Sequence, residues 1–297
     1  MALVDQKRGR VIEVGEEAAS ALGRAEGNIE IVRPFRNGRM VDVAIAERFF
    51  KILFAKMGFG RFSKPVIGLA TPIFATAAEK RVLASTMTKA GASGVIFIDA
   101  LVGVSVGASL DIQGPHGVMI ASVGAQTTFA GVMSLGEALA SSWEMVGGDT
   151  ISGAIAAYLR SAYSLVMVDA DVEELKLSLL DLNNPHFDLS ARVVGRNAET
   201  GQELEATISA AEIYDAAAES AKLIVDTVVS ALTSAPAEIS NDLVESGITL
   251  VGRASLTRGL VEVLHRACEI PVIRSMIVER AGVIGTARVL SQVPSRR

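Results

Sequence analysis

Apolar positions along this 297-residue chain switch between short continuous runs and helical spacing, which predicts strands that alternate with helices. Residues 66–70 and 95–98 are apolar runs typical of buried strands, and residues 75–90 between them predict a helix. The longest amphipathic pattern, residues 210–232, predicts another helix. Further strands are expected at 11–14, 119–123 and 128–134, further helices at 151–163 and 172–180, and loop or edge structure at 183–201. This alternation is typical of layered α/β domains.

The segment 247–260 predicts a functional turn. Its apolar strand breaks at Gly252, and a helix is expected to begin at Ser255 or the residue after it. Free backbone N–H groups at such a turn suit the phosphates of a nucleotide. Arg253 and Ala254, however, occupy positions where a close ligand would favour glycine. The turn is therefore either a nucleotide cradle or an ordinary connection capped by Ser255.

Two uncharged stretches are better explained by packing than by a membrane span. Half of the residues are hydrophobic, yet residues 112–136, the longest uncharged run, contain glycines and polar residues that predict two buried strands and a turn. Alanine, glycine and serine dominate residues 100–110, which predicts a helix or turn packed closely against another backbone.

Composition narrows the class of protein. The net charge of −5 argues against a general nucleic-acid binder. The first residues lack the apolar core of a signal peptide, so a cytoplasmic chain is expected. The single cysteine, Cys268, lies near His265, but two ligand types without a second pair predict a buried thiol rather than a metal site.

Several motifs together resemble the MreB-type bacterial actins. They occur in the family's order along nearly the whole chain: residues 32–38, Ser122-Val-Gly-Ala-Gln-Thr-Thr128, 133–136, 146–149, 172–176, 247–260 and 271–275. The resemblance implies an α/β, actin-like fold, with duplicated ribonuclease H-like domains around a nucleotide cleft. It places the first domain at residues 1–115 plus 276–297 and the second at 116–275. It also implies filaments beneath the cell membrane that organise cell shape.

The resemblance also identifies departures from the family pattern. The opening strand pair and first phosphate loop have no counterpart, so an incomplete first domain is expected. The metal-associated aspartate falls at Ser122, and the later glycines of the second phosphate loop fall at Ala125 and Gln126. The acid that positions the attacking water falls near Ala100, with only Asp99 as a neighbouring carboxylate. A hydroxyl does not replace a carboxylate that holds hydrated magnesium, and a methyl group performs no acid–base chemistry. The resemblance therefore implies a chain that does not hydrolyse ATP.

Some residues still match the family's nucleotide site, and they have two possible interpretations. They hold ATP weakly, with magnesium possible but doubtful, or they are relics that keep the turns and helices packed. Asp149 also suits the N-cap of the helix predicted from residue 151. The matching residues are Gly124, Thr127, Thr128, Gly148, Asp149, Glu173 and Lys176, and the degenerate ATP site that the resemblance implies also includes Gln126, Gly252 and Ser255.

Residues 48–64 predict a contact with the membrane. They hold five phenylalanines and five basic residues without an acid, a composition typical of interfacial anchors. Packing within the domain is the favoured interpretation for Phe50, Leu53 and Phe54. Phe59 and Phe62 lie in a glycine-containing loop beside Arg61 and Lys64, and the matching loop of MreB-type proteins is thought to touch the bilayer.

The sequence thus predicts a cytoplasmic, peripherally membrane-associated actin homologue that builds or modifies filaments. Its expected partners are further copies of itself, an MreB paralogue and the inner face of the membrane, with no nucleic acid. An active ATP-binding filament protein and a non-polymerising regulator of a full-length paralogue are the alternatives.

Overall fold

The computed structural model of the chain describes residues 1–20, 27–60, 62–184 and 188–293. The chain forms two compact units, Met1–Ala100 with Val289–Arg297 (unit 1) and Leu101–Arg288 (unit 2). The domain bounds implied by the resemblance stay a prediction.

The described residues of unit 1 form short strands in small sheets and three helices, of which α2 contacts two of the sheets. Strand β1 pairs antiparallel with β2 on one side and with β3 on the other, while β6 and β7 form a parallel pair. In the described residues β6 has no other partner strand. The elements are β1 Ala2–Asp5, β2 Arg10–Val14, α1 Glu16–Ala19, β3 Ile29–Val32, β4 Phe35–Arg36, β5 Arg39–Met40, α2 Val43–Lys56, β6 Val66–Thr71, α3 Ala77–Ala90 and β7 Gly94–Asp99.

Helix α2 begins where the carboxylate of Asp42 accepts a hydrogen bond of 2.8 Å from the N–H of Ile45. Its apolar side chains pack in two separate small cores. Phe49 and Ile52 pack against the apolar residues of β1 and β2, whereas Phe54 packs with Met87 of α3. The helix therefore connects the antiparallel sheet to the parallel pair.

Unit 2 contains a mixed five-stranded sheet in the order β10-β9-β8-β14-β15 and a three-stranded sheet in the order β11-β12-β13. Helices α5 and α7 contribute Ile151, Ile155, Ile213 and Ile224 to its main core. The elements are α4 Ala100–Gly107, β8 Val118–Val123, β9 Thr128–Ser134, β10 Glu137–Glu144, α5 Gly148–Tyr163, β11 Leu165–Val166, α6 Asp169–Leu179, β12 Ser190–Asn197, β13 Glu203–Ser209, α7 Ala210–Thr233, α8 Ser240–Ser246, β14 Ile248–Val251, α9 Leu260–Cys268, β15 Val272–Arg274 and α10 Ala281–Gln292.

The structure confirms, within three residues, the strands predicted at 11–14, 66–70, 95–98, 119–123 and 128–134 and the helices predicted at 75–90, 151–163, 172–180 and 210–232. Strand β10 was not predicted, because only Ala140 among its eight residues is buried and the alternation is weak. The expectation of loop or edge structure at 183–201 is wrong for β12, which lies at the centre of its sheet between β11 and β13. Residues 185–187 of that segment lie outside the described part of the chain.

No single helix of the described residues has both the length and the apolar character of a membrane span. The bent pair Ala210–Thr233 and Ala237–Ser246, with 99° between its halves, reaches those limits by length and composition alone.

Close backbone packing, predicted from the small residues of segment 100–110, joins α4 to α10. A Cβ added to Gly107 would lie 1.8 Å from the carbonyl oxygen of Ala281, and one added to Gly285 would lie 1.8 Å from that of Gly103. Any side chain at these positions would overlap backbone atoms, which cannot move aside as a flexible side chain does.

We expect Gly107→Ala to lower the free energy of unfolding by about 1–3 kcal/mol or more, because its methyl group would collide with the backbone of α10. Gly153→Ala in α5 is the matched control. No atom lies within 4 Å of its added methyl, so the helix should gain about 0.5–1 kcal/mol. Urea denaturation measures both. Similar changes in the two variants would contradict close packing of α4 on α10.

Candidate functional site

The hairpin between β8 and β9 lies against the first turn of α5. The N–H of Gly124 donates to the carbonyl of Thr127 at 2.9 Å, which closes the hairpin turn. The N–H groups of Gly148 and Asp149 donate to the carbonyls of Gly124 at 3.0 Å and Ala125 at 2.7 Å. These bonds fix the hairpin turn on the amino end of the helix.

Glycine is required before this helix. A Cβ added to Gly147 would lie 2.4 Å from the carbonyl oxygen of Gly124 and 2.7 Å from that of Ala125. Gly147, which belongs to the family motif at residues 146–149, therefore has a packing role that does not depend on a ligand.

Two polar side chains of the hairpin, those of Gln126 and Thr128, have hydrogen-bond partners within the protein. Thr128 is fully buried, and its hydroxyl donates to the carbonyl of Val146 at 2.8 Å. The amide of Gln126 donates to the carboxylate of Asp149 at 3.2 Å. Thr127 is half-buried. Of these four predicted site residues, Thr128 is therefore directed into the protein.

The predicted N-cap role of Asp149 is wrong. Helix α5 begins at Gly148, so Asp149 lies within its first turn. There the hydroxyl of Thr150 accepts a 3.2 Å hydrogen bond from the N–H of Gly147. The helix starts earlier than predicted because the tight contact with the hairpin already fixes the backbone of Gly147 and Gly148.

Lys176 of α6 reaches the first turn of α5. Its side chain is only 5% exposed, and its ammonium lies 2.6 Å from Glu173, 3.0 Å from Ser152 and 3.3 Å from the carbonyl of Gly148. Ser152 also lies 2.7 Å from Glu173. A buried ammonium is stable only with such partners, so this network fastens α6 to α5.

The charge of Glu173 is stabilised by its neighbours. Partial burial works to raise the pKa of Glu173, but hydrogen bonds from Lys176 and Ser152 and the charges of Lys176 and Arg253 together lower it below the ordinary value. Glu173 thus remains an anion and keeps Lys176 paired. Ser152 was missed from the sequence, although its place four residues after Gly148 sets both on one face of α5.

The turn after β14 needs glycine at Gly252. This residue has φ of +88°, and a Cβ there would lie 2.3 Å from the carbonyl oxygen of Val123. A single 3-10 turn, Arg253–Leu256, follows. The predicted helix start at Ser255 or the next residue is therefore wrong for the α-helix, which begins at Leu260 after Gly259 in the left-handed conformation.

Ser255 does not cap a helix, contrary to the prediction. It is fully buried, and its hydroxyl has no hydrogen-bond partner in the described residues. Its carbonyl accepts a 3.1 Å hydrogen bond from Arg274. Its cap role fails because Gly252 and the 3-10 turn direct the side chain inward.

Three elements meet at Gly148: the β8–β9 hairpin, helix α6 and the turn after β14. A Cβ added there would lie 3.3 Å from the Cβ of Ala254 and 3.6 Å from the ammonium of Lys176. The structure thus brings together the predicted residues of the hairpin, of α6 and of the turn after β14. Arg253 is 77% exposed and its guanidinium lies 3.7 Å from Glu279, a partner that the sequence did not indicate.

The residues present do not fit a magnesium ion held by carboxylates. Ser122, in β8, is buried and offers only a hydroxyl. In the described chain no group of three or more His, Cys, Asp or Glu side chains is placed to hold a metal ion. Ala100 begins α4 with a methyl side chain. At the two positions that the resemblance assigns to acids, the chain therefore carries a hydroxyl and a methyl group.

The two phenylalanines of the predicted membrane loop differ in their exposure to solvent. Phe59 packs with Phe54 and Met87 in the core of unit 1. Phe62 is 99% exposed in a tight loop closed by backbone hydrogen bonds of 3.1 and 3.2 Å between Gly60 and Ser63. Arg61 lies outside the described residues, and Lys64 is exposed. The structure therefore leaves Phe62 as the accessible apolar side chain of this pair.

Comparison with known proteins agrees with this fold. A family model described as MreB/Mbl protein matches residues 1–296. The chain is 28% identical over 300 residues to the cell shape-determining protein Mbl of Bacillus subtilis strain 168, covering 99% of this chain and 90% of Mbl. It is 30% identical over 265 residues to the cell shape-determining protein MreB of Escherichia coli strain K12, covering 89% of this chain and 76% of MreB.

Solved structures give the same result. MreB5 of Spiroplasma citri, in a crystal structure bound to AMPPNP, matches with a TM-score of 0.89 and 26% identity, over 98% of this chain and 88% of that one. The MamK double helical filament matches with a TM-score of 0.76 at 18% identity, over 97% of this chain and 88% of that one, which supports the fold alone. The chain therefore belongs to the MreB/Mbl family and has the actin-like fold.

Proposed function

We propose that this chain is a cytoskeletal protein that forms or modulates membrane-associated filaments in cell-shape and cell-wall organisation, without hydrolysing ATP. The observation that carries the proposal is the family match over residues 1–296. Relatives with high coverage are named for determining cell shape. The proposed location is the cytoplasm, at the inner face of the membrane.

Self-association is supported by a relative and by the shape of unit 1. MamK, which shares the fold, is known as a double helical filament. In the described residues one edge of β6 has no partner strand, and Val66 on that strand is 53% exposed. Unpaired strand edges favour pairing with another chain.

The absence of ATP turnover is supported by Ser122 and Ala100, which supply neither a carboxylate for magnesium nor a base for water. A nucleotide would still meet the backbone of Gly124, Gly148 and Gly252. Lys176 is already neutralised by Glu173, so its charge is poorly available to a phosphate.

We expect the purified chain to sediment as assemblies whose size grows with concentration. Val66→Lys, which adds a charge at the edge of β6, should shift the distribution toward monomer. Val82→Lys, at a 47% exposed position of α3, is the matched control and should assemble like the wild type. Analytical ultracentrifugation measures all three. A strict monomer at every concentration would instead favour a regulator of an MreB paralogue.

The chain is expected to release phosphate from ATP and magnesium no faster than buffer, because each missing catalytic contact is worth about 100-fold or more in rate. Ser122→Asp with Arg253→Gly should not restore turnover, since Ala100 still supplies no base. A phosphate-release assay calibrated with inorganic phosphate measures both chains. Magnesium-dependent release by the wild type would show that the proposal of no hydrolysis is incorrect.

Phe62→Ser is expected to reduce binding to anionic vesicles by about tenfold or more, because burial of a phenylalanine is worth roughly 1.5–3 kcal/mol. Met276→Ser in unit 2, at a side chain that is 101% exposed, controls for the loss of a free apolar group. Liposome co-sedimentation at low and high salt measures the difference. If Phe62→Ser pellets like the wild type, this loop is not the anchor.

A further inference from the structure

A basic pocket lies on unit 1 between the start of β2 and the middle of α2. Its volume is about 340 Å³. Pockets that hold small ligands usually measure about 300–1,000 Å³, so it has room for one phosphate or a pair of them. It is lined by Gly9, Arg10, Val11, Arg48, Lys51 and Ile52.

Every charged residue that lines this pocket is a cation. Arg10 comes from β2, and Arg48 and Lys51 come from α2, one turn apart. None of the three forms an ion pair with a carboxylate in the described residues. Three like charges around one hollow repel each other, and a bound anion would relieve that repulsion.

Another cation of the same helix, Lys56, has carboxylate partners. Lys56, near the end of α2, lies 2.6 Å from Glu13 and 3.1 Å from Glu17. The hydrogen bonds that Lys56 donates to the carboxylates of Glu13 and Glu17 raise the pKa of Lys56. The chain therefore supplies acids to the end of this helix and none to the wall of the pocket. The contrast is that Lys56 has carboxylate partners, whereas the three exposed cations of the pocket have none in the described residues.

The shape of the wall suits phosphate oxygens. The guanidinium of Arg48 lies close to Gly9, where an added Cβ would be 3.8 Å from one of its terminal nitrogens. Buried Val11 and half-buried Ile52 complete the lining with apolar surface, which lowers the competition from water. Two guanidinium groups and one ammonium offer the forked and point-charge donors that proteins use for phosphate.

We propose that the pocket formed by Arg10, Arg48 and Lys51 binds the phosphate group of an anionic ligand. The ligand is either the headgroup of an anionic lipid or a soluble polyphosphate, since both present the same oxygens. This site lies in unit 1, whereas the degenerate nucleotide turns lie in unit 2. The proposal does not depend on ATP binding, on Phe62 or on filament formation.

The first experiment is a titration of the full chain with inorganic pyrophosphate at low salt, without lipid. The test variant is Arg48→Gln with Lys51→Gln. The matched control is Arg81→Gln with Lys89→Gln, which removes the same two charges from exposed positions of another 14-residue helix of unit 1. We expect binding by the wild type, a loss of at least about tenfold in the test variant, and less than about twofold in the control.

Two results would overturn the proposal. One is no binding of pyrophosphate by the wild type, and the other is an equal loss in the control, which would reduce the effect to net charge. Circular dichroism verifies that each variant is folded. If the double variant does not fold, Arg10→Gln on β2 replaces it, with the same expected loss and the same contradicting outcome.

The second experiment distinguishes the two sources of phosphate. Vesicles of phosphatidylglycerol or phosphatidylcholine are pelleted with the wild type and with Arg48→Gln, Lys51→Gln. A headgroup ligand predicts that the variant loses binding to phosphatidylglycerol alone and that pyrophosphate competes with those vesicles. A soluble ligand predicts unchanged pelleting beside the loss of pyrophosphate binding.

Discussion

The candidate site of unit 2 depends on backbone segments that approach too closely for any side chain. Added Cβ atoms at Gly147 and Gly252 would each lie within 2.4 Å of a carbonyl oxygen, of Gly124 and of Val123. Both carbonyls belong to the end of β8 and its turn. Glycine at these two positions therefore sets the path of the hairpin, of the start of α5 and of the turn after β14.

Because of that constraint, some residues of the family motifs are required for packing, whereas others would matter only for chemistry on a ligand. Gly147 and Gly252 are needed whether or not a nucleotide binds, since a Cβ at either position would overlap a backbone carbonyl oxygen. Lys176 is likewise committed to Glu173 and Gly148. By contrast, Ser122 and Ala100 would have to carry charge to act, and neither does. Glycine at positions 147 and 252 is therefore explained by backbone packing and is not by itself a sign of nucleotide chemistry.

The sequence predicts the elements whose apolar pattern is strong. Helix α7 and the β8–β9 hairpin lie where periodicity places them, within one or two residues. Strands β10 and β12 bury one residue each, Ala140 and Val193, so neither carries the several buried apolar residues that mark a core strand in a sequence. The start of α9 depends on the left-handed backbone of Gly259, which only tertiary contacts reveal.

The site residues show the same division. The motif order identified which turns belong together, and the structure brings them into contact around Gly148. It could not show that Thr128 donates inward to Val146, or that Ser255 lies buried beside the turn. Those outcomes depend on the rotation of a side chain relative to neighbours that are distant in sequence.

The residues of the basic aromatic segment, 48–64, lie in separate environments within unit 1. Phe50, Phe54 and Phe59 pack in a core, Lys56 pairs with acids, and Phe62 remains exposed. One accessible phenylalanine gives only weak, reversible attachment to a bilayer. Firm attachment would then require many copies held side by side, because linked weak contacts add through effective concentration. A membrane contact of the proposed kind through Phe62 would therefore strengthen as the protein assembles.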